Sequence, residues 1–315
     1  MKIVQNSLKS YFVFDINLLK KSECLVFNLY IKRKNNYTII IEAGTVLSEN
    51  IYHKLTNQDK LYIQKEDFGK DKLTCLNLKN HIFYNVNNIK RSFDLLNSIN
   101  NKIFSNYLNS KDNIISLECV ENLIKSIIFL IKNNQLFFKA LISEFLNEHE
   151  LASHSFNVCV YSIGLGNALE FNDEDLLRLG IAGLLHDIGI KNIDAMIINS
   201  SEKLSLSELE SIQKHPLHSV QIIKNNHILD PYIIDAITHH HENYDGSGYP
   251  DALMGSDISC FASIVSIADV FDALTNKRPN REAYKSFDAL KLMIKDEMMV
   301  NRFNYKYLKR FLTLL

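Results

Sequence analysis

Nine of the eleven histidines in this 315-residue chain lie between His149 and His241, interleaved with carboxylates. Glu150 and His154 are four apart, so a helix would put both on one face. His186-Asp187 closes the apolar run DLLRLGIAGLL at the turn IGIKN. His215 stands directly before Pro216, which biases it away from helical geometry and suits a junction between helices. His239, His240 and His241 end another apolar run, followed at once by Glu242 and the glycine-containing stretch DGSGYP. Asp269 interrupts SIVSIADVF, where a carboxylate without a partner would be costly. Among the imidazoles, Glu150, Asp187 and Asp269 stand in ligand-like contexts. Each feature alone has a plainer reading: a solvated helix face, a helix end, an ion pair, a simple turn. Their joint order along one helical stretch favours a single cluster.

Positioning such a cluster requires several helices. From about residue 113 onward apolar residues recur at three- and four-residue spacing. Asn172 or Asp173 can cap the helix EDLLRLGIAGLLHDIGI, and Ser205 with Glu208 forms a capping box. Asp230-Pro231 suits the start of YIIDAITHHHE, CFASIVSIADVFDAL follows the glycine loop, and Ser286 and Asn304 can cap the last two helices. The first part reads differently. YFVFDI, ECLVFNLYIKR and NYTIIIEAG are strand-like, and EAGTVLSENIYHKLTNQDKLYIQKE reads as turn, short helix and strand. The expected fold class is α+β: a small N-terminal α/β regulatory or partner-binding domain over 1–108, then an all-α helical domain over 109–315.

Composition narrows the function classes. A formal charge of -1 and a pI near 6.8 leave no electrostatic footprint for duplex nucleic acid. No apolar run has the roughly 18 residues of a membrane span, and MKIVQNSLKS lacks the pattern of a secretory signal. The five cysteines are odd in number and scattered, with no C-x-x-C pair, which argues against a disulfide framework or thiolate metal site. The expectation is a reduced, cytoplasmic protein, with a homodimer left open.

Over about residues 145–310, the motifs ELASHSFNV, AGLLHDIGI, QKHPLHS, HHENYDGSGYP and FASIVSIADVFDALTNKRPNREA together resemble the HD-GYP family. This is a bacterial subgroup of the HD phosphohydrolases whose members hydrolyse cyclic di-GMP. RFNYKYLKRFL resembles the family's closing helix. The resemblance implies an all-α HD-type domain with metal ligands at His186, Asp187, His215, His240, His241 and Asp269, Asp187 bridging two metals. It further implies that Glu150 and His154 support a third. His239 falls at a non-ligand position. Gly248, Tyr249 and Pro250 match the signature loop that shapes the substrate pocket, and Arg278 and Arg281 match positions meeting substrate phosphates.

Two or three divalent ions are thus implied, and mixed imidazole and carboxylate donors suit iron or manganese, with zinc and nickel left open. Paired metals about 3.5–4 Å apart neutralise an anionic phosphodiester and lower the pKa of a bound water. The implied reaction is cyclic di-GMP hydrolysis through pGpG to GMP. Two departures bear on turnover. Where the family pattern runs His-Asp-Ile-Gly-Lys, this chain has Ile190, with Lys191 one place later as the candidate phosphate contact. Ser263 stands where the family often has arginine. A cyclic di-GMP receptor of low activity, and a hydrolase of another cyclic dinucleotide, are the alternatives.

Overall fold

The computed structural model describes residues 3–4, 11–14, 28–34, 36–42, 45, 48–58, 60–64, 89–109, 114–133, 138–139, 151–198, 204–276, 281–296 and 299–314. The chain divides into two compact units, Met1–Tyr84 and Asn85–Leu315.

The first unit holds a five-stranded sheet in the order β1-β4-β3-β5-β2. Its strands are β1 Ile3–Val4, β2 Tyr11–Phe14, β3 Leu29–Arg33, β4 Asn36–Ile41 and β5 Leu61–Gln64. The expected strand runs fall on β2, β3 and β4, and the expected short helix on α1, Glu49–Thr56, whose first turn is capped by Ser48. Every pairing among the described residues is antiparallel. This unit is therefore α+β rather than α/β, because antiparallel strands need no helical crossovers. Tyr30 pairs with Ile39 on one side and Tyr62 on the other, and with Leu29 it forms the buried centre of the sheet.

Most described residues of the second unit are helical, with turns, coil and an isolated bridge between Asp245 and Met254 among the helices. The helices are α2 Ile89–Asn109, α3 Leu117–Asn133, α4 Leu151–Ala168, α5 Asp173–Leu185, the short α6 Ala195–Ile198, α7 Leu206–Ile212, α8 His215–Asn225, α9 Pro231–His239, α10 Cys260–Thr275, α11 Ser286–Lys295 and α12 Tyr305–Leu312. Helix α4 is buried on nearly all sides and is the centre of the unit, as a helix apolar all round should be. It packs against α2, α3, α5, α10 and α12. Tyr161 on α4 meets Phe271 and Phe311 edge-on, closing the core.

Most expected helix starts are as read. Asn172 accepts from Asp175 N–H, Asp230 from Tyr232 N–H and Asn304 from Lys306 N–H, and both halves of the Ser205–Glu208 capping box are present. Ser286 departs from expectation: it is the first residue of α11, and Lys285 holds the cap position without a side-chain bond. The unit boundary also departs, lying at Tyr84/Asn85 rather than 108/109. Helix α2 belongs with the helical unit because Leu96, Phe104 and Tyr107 bury themselves in contact with its helices. Cys159 and Cys260 are free thiols, but Cys119 is disulfide-bonded, contrary to a fully reduced set. A scan of cysteine spacing does not reveal whether a given cysteine is paired.

Candidate metal centre

Five helices and one 3-10 turn deliver the candidate ligands. Helix α5 ends at His186, and Asp187 begins the 3-10 turn Ile188–Asn192. His215 is the first residue of α8, and His240 and His241 follow the last residue of α9. His154 projects from α4 and Asp269 from α10. Gly189 makes the junction possible: a Cβ there would lie 2.4 Å from the His215 carbonyl oxygen and 2.4 Å from Ser219 nitrogen. With no side chain, Gly189 donates its N–H to Ser219 Oγ at 2.8 Å, drawing the turn after Asp187 against the start of α8.

Two groups of donors result. Ligand atoms of Asp187, His215, His240 and His241 lie within 4.8 Å of one another, and so do those of His154, His186 and Asp269. Asp187 faces both. Its Oδ1 is 3.0 Å from His215 Nε2 and 3.6 Å from His240 Nε2, while its Oδ2 is 3.4 Å from His186 Nε2 and 3.5 Å from His154 Nε2. Asp269 also reaches across, with Oδ1 3.3 Å from His154 Nε2 and Oδ2 3.9 Å from His241 Nδ1.

The rings are held with their donor atoms inward. His186, His215 and His240 each place Nδ1 on the carbonyl three residues earlier, those of Gly183, Ile212 and Ile237, at 2.7–2.9 Å. With Nδ1–H donating there, the neutral ring turns its Nε2 lone pair to the cluster, the usual orientation of a metal-ligating imidazole. Asp187 Oδ1 is buried yet accepts no well-formed hydrogen bond. Lone pairs converging on a carboxylate need a cation between them, so the donor set fits a pair of divalent ions. Charge supports this. Burial opposes ionisation of Asp187, but His186, His154 and His215 hold its carboxyl well below the usual range. Burial and the neighbouring imidazoles push His240 and His241 down, towards the neutral form, whereas the carboxylates around His154 and His215 hold those two up against burial.

The signature loop packs directly on this cluster. Tyr249 lies against the His241 ring with centroids 4.8 Å apart, and its N–H donates to the His241 carbonyl at 3.2 Å. Burial, then the charges of Asp187 and Asp269, push the Tyr249 phenol up, so it stays protonated. Gly248 is required: a Cβ there would lie 2.3 Å from Asn243 nitrogen. Gly246 makes the turn at φ +82°. The Tyr249–Pro250 peptide is cis. His239 is apart from the cluster, bridging Asp235 at 2.9 Å and Asp251 at 3.0 Å.

Other expected site residues are placed differently. The ammonium of Lys191 sits on the Tyr107 and Leu108 carbonyls at 3.3 and 3.2 Å and over the Tyr107 ring, rather than at the cluster. The Arg281 guanidinium donates to the Ala273 and Leu274 carbonyls at the end of α10 and stacks on Tyr284. Both are long cations drawn to unsatisfied carbonyls at helix C-termini. Glu150 and Arg278 lie outside the described residues.

Two residues had escaped the sequence reading. Buried Glu242 accepts from Asp251 N–H at 2.7 Å and Leu253 N–H at 3.1 Å, folding the loop back onto α9. Asp272, one helical turn beyond Asp269, places Oδ2 2.7 Å from His154 Nδ1. An Asp-x-x-Asp spacing inside an apolar helix was the available signal for it.

The HD domain family matches residues 119–302, more than half of the chain. A cyclic di-GMP phosphodiesterase of Pseudomonas aeruginosa is 34% identical over 140 residues, 44% of this chain and 34% of that protein. The 3′3′-cGAMP-specific phosphodiesterase 3 of Vibrio cholerae is 36% identical over 144 residues, 45% of this chain and 31% of that protein. The chain thus spans about a third of the length of these relatives. An HDG"Y"P protein from Bdellovibrio bacteriovorus shares the fold with a TM-score of 0.60 at 19% identity, covering 96% of this chain and 98% of that one. On the family match, with the His-Asp cluster at its centre, this chain belongs to the HD domain family.

Proposed function

We propose that this protein is a metal-dependent phosphodiesterase that hydrolyses cyclic di-GMP through pGpG to GMP. The observation that carries the reading is Asp187, whose two oxygens face separate donor groups, as a carboxylate bridging two ions would. His215, His240 and His241 would hold one ion and His154, His186 and Asp269 the other, with Glu150 available to a third. Iron or manganese suits these donors. Bound there, such ions would supply phosphate neutralisation and a water of lowered pKa.

The chain's own residues do the rest. The Nδ1–H contacts keep the rings oriented, and the buried walls of the cluster strengthen every charge interaction within it. Tyr249, protonated beside His241, offers an O–H donor at the rim. Gly248 and Pro250 shape the pocket, Arg278 and Arg281 are assigned to the substrate phosphates, and Asp187 is the central catalytic carboxylate. Arg281 would have to leave the α10 carbonyls to take up that role. Residues 1–84 take the regulatory or partner-binding part: among the described residues, both ligand-spaced groups lie in the helical unit. No described helix is long and apolar enough to cross a membrane; a cytoplasmic location goes with the substrate reading.

Two observations favour other readings. Ile190 in the family's lysine position, with Lys191 engaged on α2, favours a cyclic di-GMP receptor of low turnover. The Vibrio relatives named for 3′3′-cGAMP favour the hybrid dinucleotide as substrate. Purified full chain, its metal counted, should be incubated with each dinucleotide and the products separated by chromatography. GMP appearing after transient pGpG, with none from metal-stripped protein, is the expected result. Fully loaded protein that binds cyclic di-GMP without cleaving it would replace the proposal with the receptor reading, and selective cleavage of 3′3′-cGAMP with the hybrid one.

A further inference from the structure

The candidate ligand histidines differ in what lies behind them. His186, His215 and His240 rest Nδ1 on backbone carbonyls, and His241 turns Nδ1 towards Asp269. His154 alone among them rests its outer nitrogen on a carboxylate, Asp272 Oδ2 at 2.7 Å. Asp272 is buried and anchored: Asn157 Nδ2 donates to its Oδ1 at 2.8 Å and Asn276 Nδ2 to its Oδ2 at 2.7 Å. A buried carboxylate is costly without a cationic or strongly polar partner. The two amides are neutral, so the imidazole is the partner on which its charge acts.

We propose that Asp272 is a positioning residue of the metal centre. It fixes His154 with Nε2 towards His186 and Asp269, 3.2 and 3.3 Å away, and makes that imidazole the most strongly donating of the set. Asp272 therefore sets the metal affinity of the His154, His186 and Asp269 group and leaves that of the Asp187, His215, His240 and His241 group alone. A carboxylate behind a ligating histidine raises its basicity and locks its orientation, and its loss typically weakens metal binding about 10- to 100-fold. The inference rests on the metal-centre reading above.

The test is a Mn²⁺ titration of the full chain, wild type against Asp272→Asn, by competition with a chelator, alongside thermal unfolding of the metal-free proteins. One class of ion should bind about 10- to 100-fold more weakly in the variant, the other should be unchanged, and the metal-free melting temperatures should be close. Equal weakening of every ion would make Asp272 a general structural residue and overturn the inference, as would unchanged affinities throughout. Wild type that binds no Mn²⁺ would fell the metal reading, and this inference with it, before the variant is measured. If Asp272→Asn does not fold, Asn276→Ala keeps the carboxylate but removes one anchor. Selective weakening of the same class by about fivefold is then expected, the worth of one hydrogen bond, and its absence overturns the inference equally.

Discussion

Tyr107 donates its hydroxyl to the Ile188 carbonyl at 3.1 Å, so the last turn of α2 is tied to the residue that follows Asp187. The same helix donates Asn100 Nδ2 to the Ala152 carbonyl at 2.7 Å, two residues before His154. Both side chains are fully buried. Helix α2 thus buttresses the backbone of both donor groups.

A fragment spanning 85–315 should therefore fold and bind Mn²⁺ at the wild-type stoichiometry, while one spanning 110–315 should not. Removing α2 uncovers the apolar surface buried by Leu96, Phe104 and Tyr107, each worth about 1.5–3 kcal/mol, and leaves the Ile188 and Ala152 carbonyls without these partners. Circular dichroism and metal analysis of both fragments check this. A well-folded, metal-loaded 110–315 fragment would return the boundary to 108/109.

Lys191→Ala should lower stability slightly, by up to about 1 kcal/mol because the contact is partly exposed, and should leave kcat/KM for cyclic di-GMP nearly unchanged. Ile190→Lys should raise turnover. An ammonium against a phosphate gaining charge contributes roughly 1.5–3 kcal/mol, about 10- to 100-fold in rate if expressed in the transition state. Steady-state kinetics at matched metal loading separate the two. A nearly inactive Lys191→Ala, with no gain from Ile190→Lys, would mean that Lys191 leaves the α2 carbonyls to serve the substrate.

Glu242→Gln should destabilise the fold by about 1 kcal/mol, since one of the two half-buried N–H donors now faces an amide N–H₂ instead of an oxygen. The effect on substrate should appear mainly in KM, because the loop carrying Tyr249 and Pro250 is released while the ligand rings keep their own carbonyl contacts. Thermal unfolding and kinetics report it. An unchanged melting temperature would show that the loop holds its shape without this carboxylate.

How much of the centre was legible follows from chemistry type. His186, Asp187, His215, His240, His241 and Asp269 stood out because imidazoles and carboxylates are conspicuous beside Pro216, Gly189 and the DGSG turn, and all six converge. Asp272 and Glu242 did not, because one polar residue in a helical run has many possible partners and only the fold selects one. Lys191 drew attention because the family's lysine falls one place earlier; that the C-terminal carbonyls of α2 come within its reach is a tertiary fact that the sequence does not carry. The division at 108/109 follows the onset of regular helical spacing near residue 113, whereas the compact units divide at Tyr84/Asn85, because the burial of α2 is purely tertiary.

If Asp187 joins two metal positions, metal counting on Asp187→Ala will show it. Removing a ligand common to both groups should take the protein from at least two Mn²⁺ per chain to one or none and abolish hydrolysis of cyclic di-GMP, with helical content by circular dichroism preserved. An Asp187→Ala protein that keeps the wild-type metal count and activity would mean that this carboxylate bridges no metals.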